Sequence, residues 1–376
     1  MFNIKRLEIA REARGLTKRE LAHAIGISER QLSKYVKGDC NIPDKTQDKI
    51  VEILSFQKSF FLGESLNPLP INSISFRGTS RLSESLKDMV KAHATIVKDI
   101  IVDWIEQEFN LPDVDVPDLH ELRLQENTSP EICADFVRHS WGLGEMPVSN
   151  MIELLESKGV LVFSLSLETQ DVDACCFWHN SRPVILLNQS KTAERCRFDA
   201  AHELGHLVMH RHEETNLRIK SKTYQPNKSI EKEANEFASA FLMPKPSVIS
   251  ISPKFVNMDE IILLKKHYGV SAKAMIYRLN SLKLISEWTN RELNRQLAVQ
   301  GKSYEPEPAA HEKSHIIKEI FKSLRDDGFT RKSIVGETWG LNIDEIDHWT
   351  FFLAQEYLDN ERTARIRRSN LHVLEN

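Results

Sequence analysis

Cysteine is scarce. The chain of 376 residues carries five: Cys40, Cys133, Cys175, Cys176 and Cys196. Their number is odd and no two form a C-x-x-C pair. That argues against a disulfide-stapled scaffold and a cysteine-rich zinc site, and fits a reducing cytoplasm. Long apolar runs are missing too; none approaches the roughly 18 residues needed to cross a bilayer. The opening MFNIKRLEIAREARG is charged and lacks the apolar centre of a signal peptide, so a cytoplasmic protein with no membrane partner is expected. Nor is there an excess of positive charge. Fifty Lys and Arg face 54 Asp and Glu, a net −4, so any nucleic-acid surface must be local. What remains is ordinary for a globular protein, at 41% hydrophobic and 28% charged residues. At about 100–200 residues per domain, the length fits two to three domains.

Residues 1–64 read as a helical head. Leu7, Ala10, Leu16, Leu21, Ile25, Leu32, Ile50 and Leu54 recur at helical spacing, interrupted by Gly15, Gly26 and Gly38. Thr17-Lys-Arg-Glu20 has the form of a capping box, and so has Ser28-Glu-Arg-Gln31, with Gly26 as the tight turn between the two helices. A helix, a short glycine turn and a second helix are the grammar of a helix-turn-helix unit. The second helix carries the DNA-binding candidates Ser28, Arg30, Gln31, Ser33, Lys34 and Lys37, with Lys18 on the first. Arg30 and Gln31 have donors suited to guanine and adenine edges, and Lys34 and Lys37 suit phosphates. Residues 1–56 hold 11 Lys and Arg against 8 Asp and Glu, a local positive balance. The stretch LEIAREARGLTKRELAHAIGISERQLSKYVKG resembles the Xre or lambda-repressor-like helix-turn-helix family. That resemblance implies a five-helix domain ending near Phe60-Phe61-Leu62-Gly63 and a double-stranded DNA operator. It departs from the family at Lys18, where a phosphate-contacting Gln is frequent, and at Val36, where an acidic residue is usual.

PLPINSISFRGTSR, within residues 65–80, reads as a linker. An amphipathic helix is expected from Leu82 to Phe109, stopped by Asn110-Leu-Pro-Asp. It either packs on its own chain or dimerises. Further on, SPEICADFVRHSWGL is helical, VLVFSLSL is rich in β-formers, and Ala174–Phe177 and Pro183–Asn188 are short strands around a His179-Asn-Ser-Arg turn. An edge strand of this small sheet could pair with an extended peptide.

FDAAHELGHLVMH follows. Its apolar face is Phe198, Ala201, Leu204, Leu207 and Val208, and His202 and His206 stand one helical turn apart on one side. That spacing suits two imidazole ligands of zinc, with Glu203 beside them to act on water. Zinc needs a third protein ligand. SIEKEANEFASAFLMP offers Glu231, with Asn235 one turn on and able to orient a ligand histidine. Glu233 competes but points to another face, which favours Glu231. Tyr224 and His210 are candidates for stabilising an oxyanion, and His210 and His212 read otherwise as solvated or supporting residues. His179 has no evident partner.

RFDAAHELGHLVMH followed by EKEANEFASAFLMP resembles the ImmA/IrrE family of bacterial zinc metallopeptidases. WGLGEMPVSNMIELLESKGVLV and the order of head, SFR linker and peptidase domain fit the same family, over about residues 1–285. The resemblance implies an α+β zincin-like domain spanning 81–285, zinc held by His202, His206 and Glu231, and Glu203 as general base. It also implies cleavage of a repressor or other regulator in a phage, mobile-element or stress-response circuit. DEIILLKKHYGVSAKAMIYRLNSLKLIS is read as packing on that domain. Residues 286–312, including GKSYEPEPAAHEKS, read as an exposed linker, and 313–376 as a small helical domain. The expected protein is multidomain and mainly α. It is either a DNA-bound endopeptidase or a DNA-binding, antitoxin-like regulator whose peptidase fold only senses. A palindromic operator would make it a homodimer.

Overall fold

The computed structural model describes residues 2–70, 75–76, 83–165, 172–211, 226–301 and 304–358. The head folds as α1 (Ile4–Ala13), α2 (Lys18–Ile25), α3 (Glu29–Lys37) and α4 (Asp44–Leu54). The fifth element is a single 3-10 turn, Lys58–Leu62. Leu7, Leu21, Ile25, Leu32, Ile50, Leu54 and Phe61 are its buried core, as the periodicity requires. Thr17 and Glu20 form the full capping box. The second box is only half made. Ser28 accepts from the Gln31 amide, but the Gln31 side chain donates to Cys40 Sγ at 3.6 Å instead of reaching back. Gly26 takes φ +76°, a left-handed backbone that a Cβ would strain, and turns α2 into α3.

The long amphipathic helix runs as α5 (Glu84–Ile96), a π-helical stretch (Val97–Val102) and α6 (Asp103–Glu108). It packs on its own chain: α5 lies against α1, where His93 Nε2 meets Ala13 O at 2.9 Å. Next come α7 (His120–Arg123), α8 (Pro130–Ser140) and α9 (Met151–Ser157). The sheet has the order β1-β3-β4-β2, with β1 Ser75–Phe76, β2 Leu161–Leu165, β3 Ala174–His179 and β4 Arg182–Asn188. β3 and β4 form a hairpin whose turn residues Asn180 and Ser181 both have positive φ, as a two-residue connection of matching twist demands. β2 runs parallel to β4, and its residues are buried throughout.

Two linker readings need correction. Ser75 and Phe76 are not free coil: their backbone pairs antiparallel with Cys176 and Cys175, so β3 has a neighbour on the edge that would otherwise be open to a peptide. The segment 286–312 begins with a helix, Glu287–Gln300, capped by Ser286. Its irregular part is held down instead of hanging in solvent. Buried Lys265 donates to Glu194, Glu305 and the carbonyl of Pro306, and Glu194 accepts the Ala309 amide. Polar groups with long-range partners carry no periodicity, so neither feature shows in a hydrophobic pattern.

The described C-terminal unit consists of a helix at His315–Asp326, a π-helical stretch at Lys332–Thr338 and short helices at Ile343–Trp349 and Leu353–Leu358. It docks on both other parts of the chain. Arg14 makes a two-pronged ion pair with Glu345 at 2.9 and 3.0 Å, and Ser164 of β2 accepts the Phe351 amide at 3.1 Å. Two carboxylates clasp the join reciprocally. Glu312 accepts the amides of Met151 and Ile152 at the start of α9, and Glu156 near the end of α9 accepts those of His315 and Ile316. Glu156 is 2% exposed, so Glu156→Ala would leave two amide donors without a partner. We expect a loss of about 1–3 kcal/mol in urea denaturation, against no more than about 0.5 kcal/mol for Glu126→Ala on an exposed loop. Equal midpoints for the two variants would show that the clasp contributes nothing.

Candidate functional site

The motif lies on α10 (Ala193–Met209), whose apolar residues Ala200, Ala201, Leu204, Leu207 and Val208 are buried beneath the sheet and the helix that follows. That helix, α11 (Pro226–Leu242), crosses α10 at Gly205. A Cβ at Gly205 would stand 3.1 Å from the Phe237 ring and 3.4 Å from Ala234 Cα, so glycine here permits the close crossing. The consequence is geometric: Glu231, at the start of α11, reaches the two histidines of α10.

His202 Nε2 and His206 Nε2 are 3.0 Å apart. Glu231 Oε2 is 3.4 Å from the first, and its Oε1 is 3.5 Å from the second. The three side chains therefore converge their donor atoms on one point, with both imidazoles buried. Burial works to raise the Glu231 carboxyl, but hydrogen bonds from His202 and His206 outweigh it and hold the group at about 2. It is therefore a full anion. Glu203 lies next to these groups, fully buried, with the Cys176 thiol beside its carboxyl. Burial pushes it up to about 7, partly offset by His206 and by the Cys176 thiol. A carboxylate so deeply buried is costly to keep charged.

Asn235 donates to the Glu231 carbonyl at 2.7 Å, supporting the backbone of that turn. Glu233 does face away from Glu231: it meets His210 Nε2 at 3.2 Å and Arg123 Nη1 at 3.0 Å. His210 Nδ1 lies 3.0 Å from His206 Nδ1, so both ring nitrogens of His210 are engaged. That removes His210 as an oxyanion donor. Tyr224 and His212 lie outside the described residues. His179 does have a partner, Asp103 at 2.5 Å. With Asp99 these two make a second acid and imidazole group. It is already satisfied internally: Asp99 pairs with Lys98 and accepts the Asn67 amide. Arg123 went unnoticed in the sequence because it sits on a four-residue helix, 110 positions from Glu233. The buried cysteines add no chemistry. Burial raises Cys133 to about 11 and Cys196 to about 12, and pushes Cys175 and Cys176 well above the usual thiol range.

On the head, α3 faces outward. Ser28, Arg30, Ser33, Lys34 and Lys37 are exposed and Gln31 is half-buried, while Leu32 and Tyr35 point into the core. Lys18 stands apart on α2, ion-paired with Glu8 at 3.1 Å. The domain is anchored through α1 and α4, where Arg14 joins the Leu54 carbonyl to Glu345, which leaves α3 uncovered.

A helix-turn-helix head thus stands before an α+β domain with an H-E-x-x-H helix. Comparison with known families gives the same two parts. The family described as Helix-turn-helix matches residues 7–56, and the peptidase family described as IrrE N-terminal-like domain matches residues 155–280. The chain is a helix-turn-helix domain fused to an IrrE-like peptidase domain. A search of curated proteins gave no match. Among the described residues no helix is long and apolar enough to cross a membrane.

Proposed function

We propose that this chain is a DNA-binding regulator that holds zinc through His202, His206 and Glu231 and cleaves a protein substrate, with Glu203 as general base. The observation that carries the proposal is the convergence of two imidazoles and one carboxylate beside a buried Glu203. The residues fit the ion. Two nitrogens held tetrahedrally at about 2.05 Å from zinc lie about 3.3 Å apart, close to the His202–His206 separation. Two histidines, one glutamate and a remaining open position form the donor set of a catalytic zinc rather than a structural one. When bound, zinc supplies Lewis acidity, which lowers the pKa of water toward neutrality and polarises a peptide carbonyl. Glu203 takes a proton from water at its carboxylate and hands it to the leaving amine. Its burial, which pushes the carboxyl up to about 7, places its proton affinity near neutrality, where a general base works.

The DNA partner is an operator read by α3. Arg30 would contact base edges, and Gln31 would do so alongside it. Lys34 and Lys37 would hold phosphates, with Ser28, Ser33 and Lys18 at the periphery. A palindromic operator would call for a homodimer. The natural substrate class for such a tethered peptidase is another regulator in the same circuit, a repressor of a phage, a mobile element or a stress response. The zinc half of the reading is tested by metal analysis of the purified chain, with His202→Ala as the empty-site control. Equal zinc content in the two would remove the site.

The DNA half makes its own prediction. On a selected operator, Arg30→Ala should cost about 1–3 kcal/mol and relax the preference at one base pair. Lys34→Ala should weaken all sequences alike and flatten the salt dependence by about one phosphate contact. If both variants bind with wild-type affinity and salt slope, α3 is not the reading helix.

A further inference from the structure

Of the two histidines that meet Glu231, His206 has a second nitrogen with an unusual neighbour, another imidazole. A neutral imidazole binds a metal through one ring nitrogen and carries its proton on the other. His206 presents Nε2 to His202 and Glu231. Its proton must then sit on Nδ1, which lies 3.0 Å from His210 Nδ1. His210 Nδ1 must accept that proton's hydrogen bond, so the His210 proton must be on Nε2. His210 Nε2 in turn lies 3.2 Å from Glu233 Oε2, a carboxylate oxygen that can only accept. Arg123 Nη1, which can only donate, meets the same oxygen at 3.0 Å, and Ser229 donates to the other carboxylate oxygen at 2.9 Å. Every link has a defined direction, and the directions agree from end to end.

We infer that Arg123, Glu233 and His210 form a positioning relay that locks His206 in the tautomer able to bind a metal through Nε2; this rests on the zinc-site reading above. The relay spans three elements, α7, α10 and α11, and inserts a second imidazole between the ligand and the carboxylate that orients it. His210 and Glu233 act through His206 and are not among the converging donors. A carboxylate that orients a ligand histidine typically changes metal affinity ten- to a hundredfold. The relay passes the same orienting effect through one additional ring.

The test is zinc competition with a fluorescent chelator on the full chain, comparing wild type with His202→Ala, His210→Ala, Glu233→Ala and Glu233→Gln. Circular dichroism of the zinc-free proteins serves as the control for folding. His210→Ala and Glu233→Ala should weaken zinc about ten- to a hundredfold. Glu233→Gln should stay within about threefold of wild type, because Arg123 keeps the amide oxygen turned toward His210 and the acceptor is preserved. Wild-type affinity in Glu233→Ala would overturn the relay while leaving the zinc site intact, and loss in His202→Ala would show that site separately. An equal loss in Glu233→Gln would assign the effect to charge and overturn the relay as drawn. Absence of zinc binding in the wild type would overturn both readings. Where an alanine variant fails to fold, nitrogen-15 spectra of the zinc-loaded wild type decide. They should show His206 protonated at Nδ1 and His210 at Nε2, and a proton on His210 Nδ1 would contradict the relay.

Discussion

Glu231→Ala is expected to empty the metal site. The carboxylate is the only anion among the three converging donors, and the two imidazoles hold it ionised against its burial. Without it the site keeps two imidazole nitrogens 3.0 Å apart, and two ligands do not make a zinc site. The affinity should fall by more than about a hundredfold, beyond the range set by losing a group that merely orients a ligand. Glu233→Ala, two positions along the same helix, should fall within that range. The two variants therefore rank the glutamates, and chelator competition reads the ranking directly. A larger loss in Glu233→Ala than in Glu231→Ala would reverse the assignment.

Glu203→Gln is the second large effect, and it should separate chemistry from binding. Glu203 is not among the converging donors, so zinc should be retained at wild-type stoichiometry. Proton transfer by a positioned general base contributes about 10²–10⁴-fold, and an amide cannot supply it. Cleavage should therefore fall by at least that much while metal content stays constant. The zinc-free variant should be no less stable than wild type. Its carboxyl is fully buried and pushed up to about 7 by that burial, and replacing it by a neutral isostere removes a desolvation cost. A variant that lost zinc or melted early would mean that Glu203 is structural. Cleavage at an undiminished rate would remove it from the reaction.

Interactions between near neighbours leave a pattern in the sequence, and those between distant positions do not. The capping box at Thr17 and Glu20 is local, and it formed as written. The one at Ser28 is equally local in pattern, yet Gln31 found a partner at Cys40 across the turn, and a four-residue motif cannot reveal that. His202 and His206 are placed by helical period alone, and Glu231 by the face it shares with Asn235 on a second helix. Gly205 shows why the two helices could meet, although its role depends on Phe237, 32 residues away. The relay through Glu233 escaped notice because its far end, Arg123, lies on a four-residue helix with no periodicity of its own. The pattern shows residues 313–376 only as a small helical domain after a linker. Its docking depends on Glu156, Glu312, Arg14 and Lys265, charged groups whose partners are distant in the chain and leave no hydrophobic signature. The same holds for Ser75 and Phe76, where a backbone pairing turned a stretch of linker into a strand.

If the proposed peptidase, held at DNA, cuts another regulator, the cut appears when the chain is expressed together with the regulator encoded beside it, as wild type and as Glu203→Gln, and new protein N-termini are sequenced by mass spectrometry. A discrete internal N-terminus in the regulator should be present with wild type and absent with Glu203→Gln, while both variants carry zinc and bind the operator. The same N-terminus in both samples, or none in either with zinc in place, would contradict the proposal.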